Sequence, residues 1–330
     1  MMIGYACAYT PTPLIHAAGF VPYRILPHES SSVPSRAGGV LHDNLCPHIK
    51  RILDRAMAQD LPPLAGMVFM NSCDSMRRLF DAWQRVRPDI PSILLELPVT
   101  AEAHSVKFFE LELRELGPKL VEWGGTAVTE TKLQASMALY NRLAEKLTSR
   151  RVQALFNRAM TTAPEALIGE LDSAPAQMQK TAGIPVFLFG NVLSDPGAFQ
   201  LFEDCGVTIV GDDLCTGSRS FQKIEVAADN SALSSLALGL LSRRPCARTL
   251  VPGDPEILAK NLIRDARASG ARGVIGHTVK FCDPYLARVP VIREHLKRAK
   301  LPFLFLEGDC TLGTIGQQRT RIEAFAEMLS

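Results

Sequence analysis

The chain alternates short, continuous apolar runs with longer amphipathic segments, and this alternation restricts it to a small set of folds. The apolar runs predict strands at residues 64–71, 92–97, 184–189, 207–211, 273–277 and 302–307. A run that is apolar at every position, rather than at every second one, is typical of a parallel strand covered on both faces. Strands that alternate with helices therefore predict an α/β fold built on parallel sheets.

The amphipathic segments between these runs predict helices, and residues 126–180 are predicted to be helical with little strand character. The predicted helices span residues 43–59, 74–87, 101–123, 130–150, 196–204, 255–269, 288–300 and 316–329. For the first of them, Asp43 or Asn44 is the expected N-terminal cap, because both side chains can accept a hydrogen bond from a free backbone N–H.

Two stretches of the chain repeat the same order of features. In each, a strand is followed by Cys-Asp and a helix, and then by an apolar strand after proline that ends in glutamate; the paired residues are Cys73 with Cys282 and Glu96 with Glu307. The repeat predicts two doubly wound parallel-sheet lobes, at residues 1–125 and 181–330, with a helical insertion at residues 126–180.

Composition excludes several classes of protein. The 330 residues are 47% hydrophobic and 21% charged, with a net charge of +2, which is typical of a globular protein of about two domains and gives no electrostatic footprint for nucleic acid or an anionic membrane. No apolar run approaches the roughly 18 residues of a membrane span, and the N-terminus lacks the basic segment of a signal peptide. A cytoplasmic location is therefore expected.

Six of the eight cysteines fall at predicted strand ends or helix starts: Cys7, Cys46, Cys73, Cys215, Cys282 and Cys310. Ligands of open α/β sheets bind beside the carboxyl ends of the strands, and a helix start favours a thiolate. A cysteine-bound metal centre, buried cysteines without chemistry, and a redox or nucleophilic cysteine all remain open. Cys205 and Cys246 are interpreted as structural. The chain has no CxxC pair, so a zinc ribbon or a bacterial ferredoxin motif is absent.

Several motifs taken together resemble one protein family. They are GYACAYTPTPLIHAAGFVPYRI, NSCDSMRRLFDAW, GDDLCTGSR, KFCDPYLARVP, and GQQRTR with the IEAFAEML that follows it. They are similar to the 2-hydroxyacyl-CoA dehydratase and benzoyl-CoA reductase family, which includes double-cubane iron–sulfur proteins. The resemblance implies two lobes that face each other across an iron–sulfur cluster and that pair with a second, identical or paralogous subunit.

The resemblance also implies a division of labour between proteins. A separate ATP-hydrolysing iron–sulfur activator supplies electrons of very low potential, and the cluster passes them to an acyl-CoA or to a small molecule. In the dehydratases, one electron reduces the acyl-CoA carbonyl so that the hydroxyl group can leave. The present chain has neither a P-loop nor a dinucleotide-binding GxGxxG after a strand, which agrees with ATP hydrolysis on another chain.

Matching motifs assign the cluster ligands residue by residue. Cys46, Cys73 and Cys282 correspond to the family's ligands, and three thiolates would hold a 4Fe–4S cube with one open iron. Adding Cys7, Cys215 and Cys310 would give six thiolates, which is the number of outer irons in an 8Fe–9S double cubane. Three functions stay open: a dehydratase component, a double-cubane reductase of small molecules, and a non-catalytic partner subunit of the same fold.

Other polar residues are weaker candidates, and a structural role is the alternative for each. His16 and His48 are candidate proton donors, and Glu96 and Glu307 are candidate residues of the site lining. Around Cys215, the residues Asp212, Asp213 and Arg219 are expected either to orient an anion or to form a capped turn with an internal ion pair. Gln317, Arg319 and Arg321, at the start of the last helix, are expected to bind an anion such as a CoA phosphate or to pair with the other lobe.

Overall fold

Two separate four-stranded parallel sheets form the framework of the computed structural model, which describes residues 1–27, 36–150, 152–173, 183–226, 230–310 and 315–330. The first sheet has the order β2-β1-β3-β4 and the second has the order β6-β5-β7-β8. The strands are β1 Met2–Tyr5, β2 Val21–Arg24, β3 Leu64–Asn71, β4 Ser92–Glu96, β5 Ile184–Gly190, β6 Val207–Asp213, β7 Gly273–Val279 and β8 Phe303–Gly308.

Helices connect the strands and separate the two sheets along the chain. They are α1 Thr12–Ala17, α2 Pro47–Met57, α3 Asp74–Val86, α4 Ala103–Glu122, α5 Glu130–Arg150, α6 Gln153–Ala159, α7 Pro164–Ser173, α8 Pro196–Asp204, α9 Ala232–Leu241, α10 Ile257–Ala268, α11 Asp283–Arg298 and α12 Ile315–Leu329. The predicted α/β fold class is thereby confirmed, and helices α5–α7 lie where the helical insertion was expected.

The two sheets share one topology, so β3–α3–β4 corresponds to β7–α11–β8. This correspondence confirms the predicted internal repeat. We call the part of the chain around β1–β4 the first lobe and the part around β5–β8 the second lobe. The register places Glu96 beside Asn71 in the first lobe and Glu307 beside Thr278 in the second, so the two glutamates occupy equivalent strands.

Some boundaries and elements differ from the prediction. The residue pattern does not predict β1 and β2, because each has only four residues and β2 contains a proline. Helix α2 begins at Pro47, so Cys46 rather than Asp43 or Asn44 occupies its N-cap position. Helix α11 begins at Asp283, five residues before the predicted start, because a proline in the first turn lacks only an N–H that a helix start does not use.

Periodic apolar side chains attach the helices to the sheets. In α4, the buried residues Phe109, Leu113, Leu116 and Leu120 recur at helical spacing and enter the first lobe's core. Helix α9 follows β6 along the chain, but it packs against α4 and contributes Leu236 and other residues to that same core. The chain therefore crosses back from the second lobe to the first before it forms β7. Both tryptophans, Trp83 and Trp123, fill core positions.

Within the described residues, no helix combines the length and the apolar character that crossing a membrane requires.

Two adjacent phenylalanines of α4 provide a matched test of this packing. Phe109 is fully buried, whereas Phe108 is 46% exposed. We expect Phe109→Ala to lower the free energy of unfolding by about 3–5 kcal/mol, because it leaves a cavity in the core, and Phe108→Ala to change it by less than about 0.5 kcal/mol. Urea denaturation followed by circular dichroism measures both values. Equal losses in the two variants would contradict this position of α4.

Candidate functional site

Six cysteines occupy equivalent places in the fold, just beyond the carboxyl end of a strand or at the start of a helix. Cys7, Cys73, Cys215, Cys282 and Cys310 follow β1, β3, β6, β7 and β8, and Cys46 is the N-cap residue of α2. Cys73 and Cys282 are also the N-cap residues of α3 and α11. Parallel strands place their carboxyl ends at one edge of a sheet, so each sheet presents its cysteines along a single edge.

A cleft between the two lobes brings these edges together. Its volume is about 350 Å³, and both lobes line it. The first lobe contributes Cys46 and Cys73, and the second contributes Cys282. Beside the cleft, the buried Cys310 packs with Val192 and Val279 against Cys46, Cys215 and Cys282. The three cysteines that the sequence ranks first as ligands thus line one cleft, and two of the second group adjoin it.

The electrostatics of the thiols confirm that they are close together. Burial is the largest cause that raises the pKa of Cys46, and the charges of Cys282 and Cys73 raise it further. Burial raises the pKa of Cys73 to about 11, and the charges of Cys7 and Cys282 add to that effect. These thiols are therefore neighbours whose thiolate charges repel.

Cys7, Cys282 and Cys310 follow the same pattern. Burial, and then the charge of Cys215 among smaller effects, raise the pKa of both Cys7 and Cys282. The pKa of Cys310 is raised well above its usual value by burial, by Asp309 and by Cys46. Free thiols with raised pKa values stay protonated at neutral pH, so a bound cationic centre would be needed to convert these five cysteines to thiolates.

Cysteine thiols from both lobes are the donors that this site offers. Among the described residues, no three His, Cys, Asp or Glu side chains converge closely enough to hold one metal ion. The thiolates of a single ion lie about 2.3 Å from it and so crowd together. An iron–sulfur cluster instead takes its thiolates on separate irons, which requires several thiols around a wider space. The donor set and its location between the lobes fit such a cluster.

A capped turn holds Cys215 in place. The carboxylate of Asp212 accepts hydrogen bonds from the N–H of Leu214 at 3.1 Å and of Ser218 at 2.8 Å. The buried Arg219 donates to Asp213 at 2.8 Å, and it also donates to the carbonyl of Gly190. Of the two interpretations of this motif, the structure therefore bears out the turn closed by an internal ion pair.

Asn191 connects three strand ends of the second lobe, a role that the residue pattern does not predict. Its side-chain amide donates to Thr278 at 2.9 Å, and its side-chain oxygen accepts from the N–H of Val279 at 3.1 Å. Its own carbonyl accepts from the N–H of Cys215 at 3.1 Å. A polar residue directly after an apolar strand, in the sequence FLFGN, was the available signal.

Three arginines around the cysteines were also missed. Arg24 is fully buried at the end of β2, and its guanidinium lies 3.5 Å from the sulfur of Cys215. Arg243 is buried and donates to the carbonyl of Ala8 at 2.7 Å. Arg248 lies beside the cleft and donates to the carbonyl of Pro98 at 2.7 Å, which links the two lobes. The signal for Arg24 was a charged residue that ends a short apolar stretch, VPYR.

A further ion pair joins the lobes near Cys310. The guanidinium of Arg51, on α2, binds both carboxylate oxygens of Asp309. Its Nε lies 2.8 Å from one oxygen and 3.0 Å from the other. This bidentate geometry is the strong form of such a pair. It fixes the start of the first lobe's α2, which carries Cys46, against the strand end that carries Cys310.

The two histidine candidates have different surroundings. His16 hydrogen-bonds to Ser136 at 2.9 Å and to Glu165 at 2.8 Å, so it joins α1 to α5 and α7. His48 is buried in α2 near Cys46, and burial lowers its pKa to about 3. It is therefore a neutral imidazole at physiological pH. No observation tests either residue as a proton donor, and both remain predictions.

The glutamate candidates lie at the ends of equivalent strands. Glu96 accepts a hydrogen bond from Asn71 at 2.6 Å, and Asn71 lines the cleft. Glu307 has an exposed side chain on β8. Neither contact pattern tests a role in the site lining, so that role stays a prediction for both residues.

The arginines at the start of α12 bond within their own lobe. Arg319 pairs with Asp204 of α8 at 3.2 Å, and Arg321 donates to the carbonyl of Phe305 at 2.7 Å. The expected pairing of Arg319 with the other lobe is therefore wrong, since its partner lies on α8 of the second lobe.

The two cysteines interpreted as structural lie outside the set of six. Cys205 is the C-cap residue of α8, at the opposite end of β6 from Cys215, as expected. Cys246 lies nearer to the site than the sequence suggested. Burial raises its pKa to about 11, and smaller effects come from the charges of Arg219, Cys7 and Cys215.

Fold and site together define a two-lobed α/β protein with a cysteine-lined cleft between its sheets. The profile of the family described as "2-hydroxyglutaryl-CoA dehydratase, D-component" matches residues 7–329. The chain therefore belongs to this family, in agreement with the resemblance in its motifs.

Curated relatives align over nearly the whole chain. The (R)-2-hydroxyglutaryl-CoA dehydratase subunit beta of Acidaminococcus fermentans is 26% identical, over 99% of this chain and 92% of the relative. The (R)-phenyllactyl-CoA dehydratase beta subunit of Clostridium sporogenes is 24% identical, over 99% and 91%. One of the benzoyl-CoA reductase subunits of Thauera aromatica is 23% identical, over 99% and 90%. These names support an enzymatic activity without resolving its type.

Asn191 offers a test of how the second-lobe edge is built. We expect Asn191→Ala to lower the free energy of unfolding by at least about 2 kcal/mol, because it leaves the buried N–H of Val279 without an acceptor. Asn71→Ala is the matched control and should cost less than about 1 kcal/mol, since its partner Glu96 is exposed. Denaturant titration measures the free energy of unfolding of the two variants. The assignment is wrong if Asn191→Ala is no more costly than Asn71→Ala.

Proposed function

We propose that this chain is the iron–sulfur component of an enzyme of the 2-hydroxyacyl-CoA dehydratase type. It receives low-potential electrons from a separate ATP-hydrolysing activator protein. The observation that carries the proposal is the convergence of thiols from both lobes on one cleft. Cys46, Cys73 and Cys282 line it, and Cys215 and Cys310 pack beside it. The family match and the names of the relatives support it.

The residues that would hold the cluster form two groups. Cys46, Cys73 and Cys282 line the cleft directly and are the proposed ligands of a 4Fe–4S cube. Cys215 and Cys310 pack next to Cys46 and Cys282, and the charge of Cys7 acts on Cys73. When bound, such a cluster supplies single electrons and, at an iron without a protein ligand, a Lewis acid.

The chain's own residues would shape this chemistry in three ways. Backbone N–H groups at the starts of α2, α3 and α11 interact with the sulfurs of Cys46, Cys73 and Cys282, which would stabilise negative charge there. The lobe-to-lobe contacts of Arg51 and Arg248 hold the thiols of the first lobe in a fixed position relative to those of the second. The apolar residues Val192 and Val279 keep water away from Cys310.

A second candidate function is a double-cubane reductase of small molecules. The specific observation in its favour is that all six thiols, and not three, gather around one space. Six thiolates match the outer irons of an 8Fe–9S cluster, whereas a single cube leaves three cysteines without a ligand role. The substrate of the chain is accordingly proposed as an acyl-CoA or a small reducible molecule.

We also propose that the chain works with a second subunit. The similar dehydratase chains are named as beta subunits, and the similar benzoyl-CoA reductase chain is likewise named as one subunit of its enzyme. The partner would be an identical or a paralogous chain. The ATPase activator would then be a third, transient component of the reaction.

Metal content tests the proposal directly. After anaerobic reconstitution with iron and sulfide, we expect the protein to bind about eight irons per chain for a double cubane or about four for a single cube. Iron and acid-labile sulfide assays, with electron paramagnetic resonance of the reduced protein, measure the cluster. A protein that stays colourless after reconstitution would refute both cluster functions and leave the non-catalytic partner subunit.

Two cysteine variants test the ligand assignment. We expect Cys73→Ala to reduce bound iron by at least about half, because it removes a thiol of the cleft. Cys205→Ala should retain the iron of the unmodified protein, since Cys205 lies at the opposite end of β6 from the site. Iron content and the visible absorption of both variants give the comparison. Equal iron in the two would exclude Cys73 as a ligand.

A further inference from the structure

Arg24 is the least expected side chain in the structure, because it is a fully buried cation without a carboxylate partner among the described residues. Its exposed fraction is 1%. Its guanidinium donates to the carbonyl of Cys215, to the hydroxyl of Ser220 at 3.1 Å and toward the sulfur of Met160 at 3.2 Å. Its Nε is buried and makes no hydrogen bond. Arginines are almost never fully buried unless an anion compensates their charge.

A second buried arginine lies close by, and it also lacks a carboxylate partner among the described residues. Arg243 is 9% exposed, donates to the carbonyl of Ala8, and has an Nε without a partner. Burial lowers its pKa to about 10, which still leaves it charged at neutral pH. The charges of both arginines act on Tyr5, and that of Arg24 also acts on Cys7, so the two cations face the same region.

The other titratable groups of that region do not supply the missing anion. Among the described residues, no carboxylate forms an ion pair with Arg24 or Arg243, and the buried side chains of Tyr5 and Tyr9 are phenols rather than carboxylates. The remaining buried arginine of this region, Arg219, is already neutralised by Asp213. The described part of the chain thus contains two buried guanidinium groups, those of Arg24 and Arg243, whose positive charges no carboxylate compensates.

We infer that Arg24, supported by Arg243, is the counter-charge of the bound cluster and sets its reduction potential through Cys215. The inference rests on the proposed function in its six-thiolate form, in which Cys215 is one of the cluster ligands. Each thiolate carries one negative charge, and the guanidinium nitrogen of Arg24 lies 3.5 Å from the sulfur of Cys215, within the range of an N–H···S hydrogen bond. Reduction adds one electron, and hence one negative charge, to the cluster. A fixed cation beside a ligand sulfur stabilises the reduced form more than the oxidised form and raises the potential.

The contacts of Arg24 also explain how one residue serves both lobes. It is the last residue of β2 in the first lobe, and it reaches Cys215 and Ser220 in the second. Arg24 is therefore a positioning residue that acts through a ligand and does not itself touch the substrate. Replacement by a neutral side chain removes the charge, whereas lysine retains it.

The test is the midpoint potential of the reconstituted cluster in Arg24→Met and Arg24→Lys. Titration with titanium(III) citrate as the electron donor, followed by electron paramagnetic resonance, gives the potentials. We expect Arg24→Met to bind the same iron but to be at least tenfold harder to reduce, which is a shift of about 59 mV to more negative potential for one electron. Arg24→Lys should retain most of the original potential. Arg55→Met is the control, because this largely buried arginine pairs with Asp60.

Arg243→Met serves as a second variant if Arg24→Met does not fold, because its described side-chain bond goes to one carbonyl only. It should shift the potential in the same direction. If folded Arg24→Met and Arg243→Met bind as much iron as the unmodified protein and have the same midpoint potential, the inference is wrong. The proposed function would still stand. An unmodified protein that binds no iron would overturn both, so the two failures are distinguishable.

Discussion

Parallel pairing is the constraint on which this structure depends. In a parallel sheet every strand ends at the same edge, so residues that are far apart in sequence are delivered to one line of loops. Two such sheets, each with an equivalent strand order, place those lines on either side of one cleft. The first edge carries Cys7 and Cys73, the second carries Cys215, Cys282 and Cys310, and α2 adds Cys46 between them. A site of six cysteines therefore needs no local spacing motif.

Charge determines what such a site can contain. Burial makes the neutral thiol the stable form of Cys46, Cys73 and Cys310 in the absence of a cationic partner, and the neighbouring thiolates oppose ionisation further. The same region contains the buried cations Arg24 and Arg243, which no carboxylate of the described residues neutralises. With the thiols protonated, the positive charges of these two buried guanidinium groups have no counter-charge. A cluster with several negative charges, bound through thiolates, would supply that counter-charge. The family to which the chain belongs supports the same interpretation.

Much of the framework was readable from residue patterns. The strand at residues 64–71 and the helices at 130–150 and 196–204 were predicted with the boundaries that the structure shows, because continuous apolar runs and long amphipathic segments report burial directly. The internal repeat was readable because Cys-Asp and the strand-ending glutamate occur twice. The short strands β1 and β2 were not predicted, since four residues give too little periodicity. The cap of α2 was misassigned because two good capping residues, Asp43 and Asn44, shortly precede Pro47.

The sequence by itself determined the fold class, the duplicated order of elements and the cysteines that stand at strand ends, because each of these is written in local composition and spacing. Only the tertiary structure decided which distant residues share the site. Arg24, Asn191 and Arg243 gave weak local signals, since a single charge or amide near a strand end is common, and their roles arise from contacts between residues that are far apart in the chain. Such contacts depend on how two sheets pack against each other, and no local pattern encodes that packing.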